Sequence, residues 1–285
     1  MEVVSSPAEV RPVASDVVNP LSLGSAWGYL FLLLALMAIG GSLIALALAQ
    51  VTGLKYDDPL LTLVGYIVPF IFYFLILKSK GNLAPLVKPA PDQQRVPVLL
   101  YLLIVLLIPS IQVVIEPLTS LIPMPDSVKE LFESRLAGKN VFTILTVVVA
   151  APILEEFALR GHLLRSMLRE YSPAKAIIWT STMFAVIHMN PWQGIGAFAL
   201  GLFLGWIYYR TKSLWTCIFF HFANNLFSSV MSWVTPEGTD KFASLYDQLG
   251  DATMYAFVYG AAAVVLVLCV VLMQRVFRGL GTDLS

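Results

Sequence analysis

The chain has 285 residues, of which 58% are hydrophobic and only 13% charged, and its mean hydropathy is +0.79. These values exclude an ordinary soluble domain and indicate a polytopic helical membrane protein. Formal net charge is zero, which gives no basic signature for nucleic acid, and two cysteines, Cys217 and Cys269, supply neither a disulfide framework nor zinc-finger spacing.

Residues 1–25 are polar, with three prolines and three acids, and are expected to form a cytosolic tail rather than a signal peptide. Apolar runs follow near 27–50, 59–78, 97–115, 140–160, 174–190, 193–209, 213–234 and 253–275. A ~30 Å hydrocarbon core needs ~20 helical residues, so these runs predict eight crossings in an all-α transmembrane bundle. The charged and apolar residues of Asp126–Lys139 predict a short amphipathic helix on the surface. With the N-terminus inside, thirteen Lys and Arg fall on inner segments and five (Lys55, Lys129, Arg135, Lys139 and Lys241) on outer ones. The positive-inside rule then places both termini in the cytosol.

The unusual residues sit in the fourth, fifth and seventh runs. The fourth reads VVVAAPILEEFALR, with Glu155 beside Glu156 and Arg160 four residues after Glu156. A carboxylate at membrane depth costs at least ~2.5–3.5 kcal/mol on insertion scales, so each needs a partner or a hydrated cavity. Arg160 is the evident counter-charge of Glu156. Glu155 points about 100° away and is left for another task. The fifth run ends TMFAVIHMNP, placing His188 just before a helix stop, and the seventh contains HFANN, with His221 and Asn225 on one face and Asn224 beside them. Counted from a turn near Ser172-Pro173, Glu155 and His188 are level in an antiparallel hairpin. At ~1.5 Å per residue both lie roughly 25 Å from that turn, so the hairpin is expected to protrude into the cytosol.

These groups suit hydrolysis. A carboxylate in a low-dielectric cavity can take a proton from water, a histidine can orient that water or pass the proton on, and His221 with Asn225 can stabilise an oxyanion. The metal alternative is zinc on His188, His221 and Glu155, although no HExxH spacing demands it. His162, seven residues after Glu155, is expected at the membrane interface. Gly194, Gly196, Gly201 and Gly205 mark a face for close packing of the sixth run.

EEFALR, FAVIH and HFANN, in this order on successive apolar runs, match EExxxR, FxxxH and HxxxN. The chain thereby resembles the CPBP family of intramembrane endopeptidases, which includes type II CAAX prenyl endopeptidases and Abi-type bacteriocin-processing and immunity proteins. The resemblance covers roughly residues 140–230. It implies an eight-helix fold and peptide-bond hydrolysis inside the membrane. It makes Glu155 the water-activating base with His188, assigns His221 and Asn225 to the oxyanion, and lets Glu156 and Arg160 complete the first motif. The family is described both as metallo and as metal-independent; a reaction without a required cofactor is the expectation, with zinc the alternative. On this reading the segments are a tail (1–25), N-terminal transmembrane helices (26–125), a catalytic core (126–235), and a loop with a C-terminal helix (236–285). The implied partners are membrane lipid and a protein or peptide substrate, prenylated or not. A bacterial plasma membrane is the expected location, or the endoplasmic reticulum in a eukaryote. Two other classes compete: a non-catalytic scaffold or immunity protein, and a proton-coupled transporter, against which no inverted repeat is visible.

Overall fold

The computed structural model describes residues 19–81, 95–136, 140–236, 239–240 and 242–280. The expected tail lies outside them as far as residue 18, as do Lys88, Lys139 and Lys241 of the charge count. Every regular element among the described residues is helical: α1 (Leu23–Thr52), α2 (Pro59–Ser79), α3 (Val98–Thr119), α4 (Asp126–Leu136) and α5 (Val141–Met167) are followed by α6 (Pro173–Ile187), α7 (Pro191–Thr211), α8 (Leu214–Val234), α9 (Leu245–Leu249) and α10 (Ala252–Gly279).

Helices occur at all eight predicted positions, and α4 is the expected short amphipathic element. Five of them, α1, α2, α3, α5 and α10, are long and apolar enough to cross a bilayer. α6 is apolar but has only 15 residues. At ~1.5 Å per residue it rises about 22 Å, short of a ~30 Å hydrocarbon core. α7 and α8 have 21 residues each, but Gln193 and the glycines of α7, and His221, Asn224 and Asn225 of α8, dilute their apolarity.

The helix starts follow local chemistry. Asp58, Asn140, Asn190, Ser213 and Asp251 each accept a backbone N–H of the first turn through the side chain, and Pro59 and Pro191 occupy the first turn, where no N–H is needed. Outside the long helices, Lys129 of α4 pairs with Asp240 at 2.9 Å and holds its carboxyl below the usual carboxylate range.

Glycine sets the two closest crossings. A Cβ on Gly41 would lie 2.5 Å from the Gly65 carbonyl oxygen, and one on Gly65 would lie 3.0 Å from that of Gly41. Pro69 explains why the Gly65 carbonyl is available, since proline has no N–H to donate four residues back. On α7, a Cβ at Gly201 would meet Ser181 at 3.0 Å, and one at Gly205 would meet Ile177 at 2.9 Å. The expected packing face is therefore present at Gly201 and Gly205, and Gly194 approaches Ala185. Gly196 is a correction: nothing lies within 4 Å of its would-be Cβ, because it points off the α6 contact.

The α5–α6 hairpin, expected to protrude into the cytosol, has a packing partner. The N-terminal end of α1 packs on it: the Leu23 N–H donates to the Tyr171 hydroxyl at 2.9 Å, and Trp27 meets Trp179 edge-on at 6.2 Å. Residues 158–164 are all buried, packed against α6, α7 and α8.

Candidate active site

α5 is not a uniform α-helix. Leu145–Ala150 and Phe157–Leu164 are π-helical, and the six residues between them, Ala151–Glu156, carry both glutamates. π-turns inside helices often mark functional sites. Here the first has a visible cause. The Ala151 N–H bonds the Thr146 carbonyl, five residues back, so the next donor in that pattern is Pro152, which has none. Val147 O is left over, and Asn225 Nδ2 on α8 donates to it at 2.8 Å. The proline thus creates the acceptor that docks Asn225.

Glu156 is 0% exposed and Arg160 1%. Arg160 Nη1 donates to Glu156 Oε1 at 2.9 Å, Nη2 donates to Gly201 O at 3.3 Å, and the guanidinium lies 4.7 Å from the Phe184 ring centre. The close approach of α7 to α6 at Gly201 therefore also builds one wall of the arginine's site. His221 Nδ1 reaches the same Glu156 oxygen at 2.9 Å. A carboxylate paired with arginine accepts, so Nδ1 carries a proton and donates, and Nε2 is the ring nitrogen turned away from Glu156. That nitrogen faces Glu155 Oε2 at 3.9 Å, too far for a direct hydrogen bond and suited to one bridging water or substrate atom. Glu155 is buried, and its other oxygen, Oε1, accepts from the Tyr66 hydroxyl at 2.5 Å.

His188 terminates α6. Its Nδ1 lies 2.9 Å from Phe184 O, a carbonyl, so Nδ1–H donates. It is not hydrogen-bonded to Glu155. The link to the rest is Phe184, whose ring meets His188 at 5.2 Å and His221 at 5.3 Å, both edge-on. Met189 follows with φ 53°, and Asn190 Nδ2 donates to His188 O at 2.8 Å, which pins the turn. Asn224 accepts from Gln112 Nε2 of α3 at 3.1 Å and donates to Asn225 Oδ1 at 3.2 Å. Gln112, Asn224 and Asn225 thus run as one polar chain from α3 to Val147.

Of the residues singled out in the sequence, Glu155, Glu156, Arg160 and His221 are in one cluster, His188 joins through Phe184, and Asn225 docks on α5 at the Val147 carbonyl. Two were misread or missed. His162 is 1% exposed, bonded to the Tyr73 hydroxyl at 2.9 Å and set edge-on to Tyr29, rather than interfacial. Tyr66 was missed; its only sequence signal is that it is one of two tyrosines, seven residues apart, inside a spanning helix. Both cysteines are buried, and Cys217 packs against Leu204 O.

Residues 137–227 match a family model described as type II CAAX prenyl endopeptidase Rce1-like. This stretch is similar to an Rce1-like domain. Glu155, Glu156, Arg160, His188, His221 and Asn225 all lie inside it, whereas Tyr66, Tyr73 and Gln112 come from helices that precede it. No curated protein and no solved structure matches the chain. Several apolar helices of spanning length, together with the similarity of residues 137–227 to the Rce1-like model, support an integral membrane protein.

The arrangement offers zinc an incomplete set. His221 Nε2 and Glu155 Oε2 face each other, but among the described residues no three His, Cys, Asp or Glu side chains converge in a metal-binding group. The described residues do not fit a three-ligand zinc site.

Proposed function

We propose that this protein is an intramembrane endopeptidase that hydrolyses a peptide bond of a membrane-associated protein or peptide, with Glu155 as general base and without a metal. The observation that carries the reading is the opposition of Glu155 Oε2 and His221 Nε2 across 3.9 Å, with His221 oriented from behind by Glu156. A water in that span donates one hydrogen to each acceptor and turns a lone pair toward a substrate carbonyl. Its oxygen bonds the carbonyl carbon as its proton passes to Glu155 Oε2, and the carbonyl electrons move to oxygen. Asn225 has a second amide hydrogen beyond the one given to Val147 and supplies it to that oxyanion. Collapse re-forms the carbonyl and breaks the C–N bond, and the proton held on Glu155 passes to the leaving nitrogen. Glu156 and Arg160 do not touch the substrate; they fix the tautomer and the aim of His221.

The Rce1-like match supports a CAAX-type, prenylated peptide as the first substrate to try. The test uses purified protein in liposomes with an internally quenched farnesylated peptide ending in a CAAX sequence. Removing a positioned base costs about 10²–10⁴-fold. Folded Glu155→Gln protein is expected to lose cleavage on that scale, and zinc content far below one per chain should accompany full wild-type activity. Equal cleavage by wild type and Glu155→Gln would overturn the base assignment; activity lost on chelation and restored by zinc would overturn the metal-free one.

A further inference from the structure

We infer that Tyr66, on a helix outside the Rce1-like stretch, is a positioning residue that aims the Glu155 carboxylate at the His221 water site. The inference rests on the reading of Glu155 as general base. A carboxylate has two oxygens and a freely turning terminal bond. Only one orientation places Oε2 opposite His221 Nε2 while Oε1 meets the Tyr66 hydroxyl at 2.5 Å, the range of a hydrogen bond to an ionised oxygen. Among the described residues no other side chain hydrogen-bonds Glu155, so this contact fixes the plane of the carboxylate and with it the direction in which the second oxygen faces.

The contact is built into the helix pair. Tyr66 bonds Glu155, and Tyr73, seven residues on, bonds His162, seven residues after Glu155. Both pairs are separated by 89 positions, so α2 and α5 run parallel with their tyrosines in step. The helices approach most closely where α2 meets Val141–Ala150 and open beyond it, and the two long phenols bridge the gap. The neighbour of Tyr66, Gly65, is locked against Gly41, which fixes α2 in depth and rotation at the same point. Two tyrosines in register and a glycine crossing are more than an accidental hydroxyl contact needs.

The test compares Tyr66→Phe with Tyr101→Phe, which loses a phenol hydrogen bond to Thr216 (3.2 Å) between other helices and never meets Glu155. Tyr66→Phe is expected to lower kcat about ten- to a hundredfold, the scale of a small misplacement of a reacting group, with KM and melting temperature near wild type. Tyr101→Phe should leave kcat unchanged. In a Glu155→Gln background, Tyr66→Phe should add nothing. A second measurement does not depend on turnover: infrared difference spectra of wild type against Glu155→Gln identify the Glu155 carboxyl band, which should move in Tyr66→Phe and not in Tyr101→Phe. A wild-type kcat together with an unmoved band would overturn the inference. Inactive Glu155→Gln beside fully active Tyr66→Phe would sink this role while leaving the base standing; active Glu155→Gln with a shifted band would sink the base and keep the contact.

Discussion

Glu156 and Glu155 are neighbours in sequence with opposite uses. Glu156 is enclosed with Arg160, whose side chain is 1% exposed, and neither group can turn to water if the other is removed. Breaking a buried pair by deleting one charge costs roughly 3–5 kcal/mol, because the survivor stays buried and uncompensated. Glu156→Gln is therefore expected to lower the melting temperature strongly in detergent, whereas Glu155→Gln, whose position opens to the water site, keeps it near wild type. Equal melting of the two variants would contradict this division of labour. The adjacency of the glutamates and the i,i+4 arginine could be read directly from EEFALR, since both follow from helical spacing. The partners of Glu155 could not: Tyr66 is 89 residues away, and no local period relates the two.

At the scale of elements, the irregular turns do the placing. Pro69 and Pro152 each free a backbone carbonyl, and each is met by another helix, the Gly65 carbonyl by Gly41 and the Val147 carbonyl by Asn225. The Gly41–Gly65 crossing has no flexible atom to yield, because the nearest neighbour is a backbone oxygen at 2.5 Å. Gly41→Val is thus expected to separate α1 from α2, lower the melting temperature by several degrees and reduce cleavage through Tyr66. Gly196→Val, with open space around it, is expected to change neither. Comparable losses in both variants would show that side-chain bulk on these helices is harmful in general and would remove the crossing from the account. Gly201 and Gly205 were recognisable as a small-residue motif; Gly41 and Gly65 lie on different helices, and nothing in the order of residues pairs them.

For the whole molecule, orientation decides which side supplies water and substrate. Thirteen of the Lys and Arg residues fall on one side and five on the other under the eight-crossing reading, so a C-terminal tag is expected to be cytosolic. Protease protection of that tag in sealed cells, with digestion only after permeabilisation, is the expected result; digestion in intact cells would reverse the topology. The short α6 matters here, since His188 and Ser172 at its two ends cannot both reach water across a full bilayer.

The amino-acid order by itself determined the class of this protein and singled out most of the candidate site residues. Long apolar runs can satisfy their backbone in lipid only as helices, and ionisable groups within such runs must find partners, so EExxxR, His188 and HxxxN stood out before any contact was known. The same rules placed the helices within a few residues. Only the tertiary structure decided that His221 shares Glu156 with Arg160, that Asn225 is claimed by a carbonyl freed at Pro152, that His162 is enclosed by Tyr29 and Tyr73, and that α2 supplies Tyr66 to Glu155. These relations depend on how helices are rotated and stacked against one another. That is set by glycine crossings and by π-turns that change the register of α5, and neither is expressed in the period of any single segment.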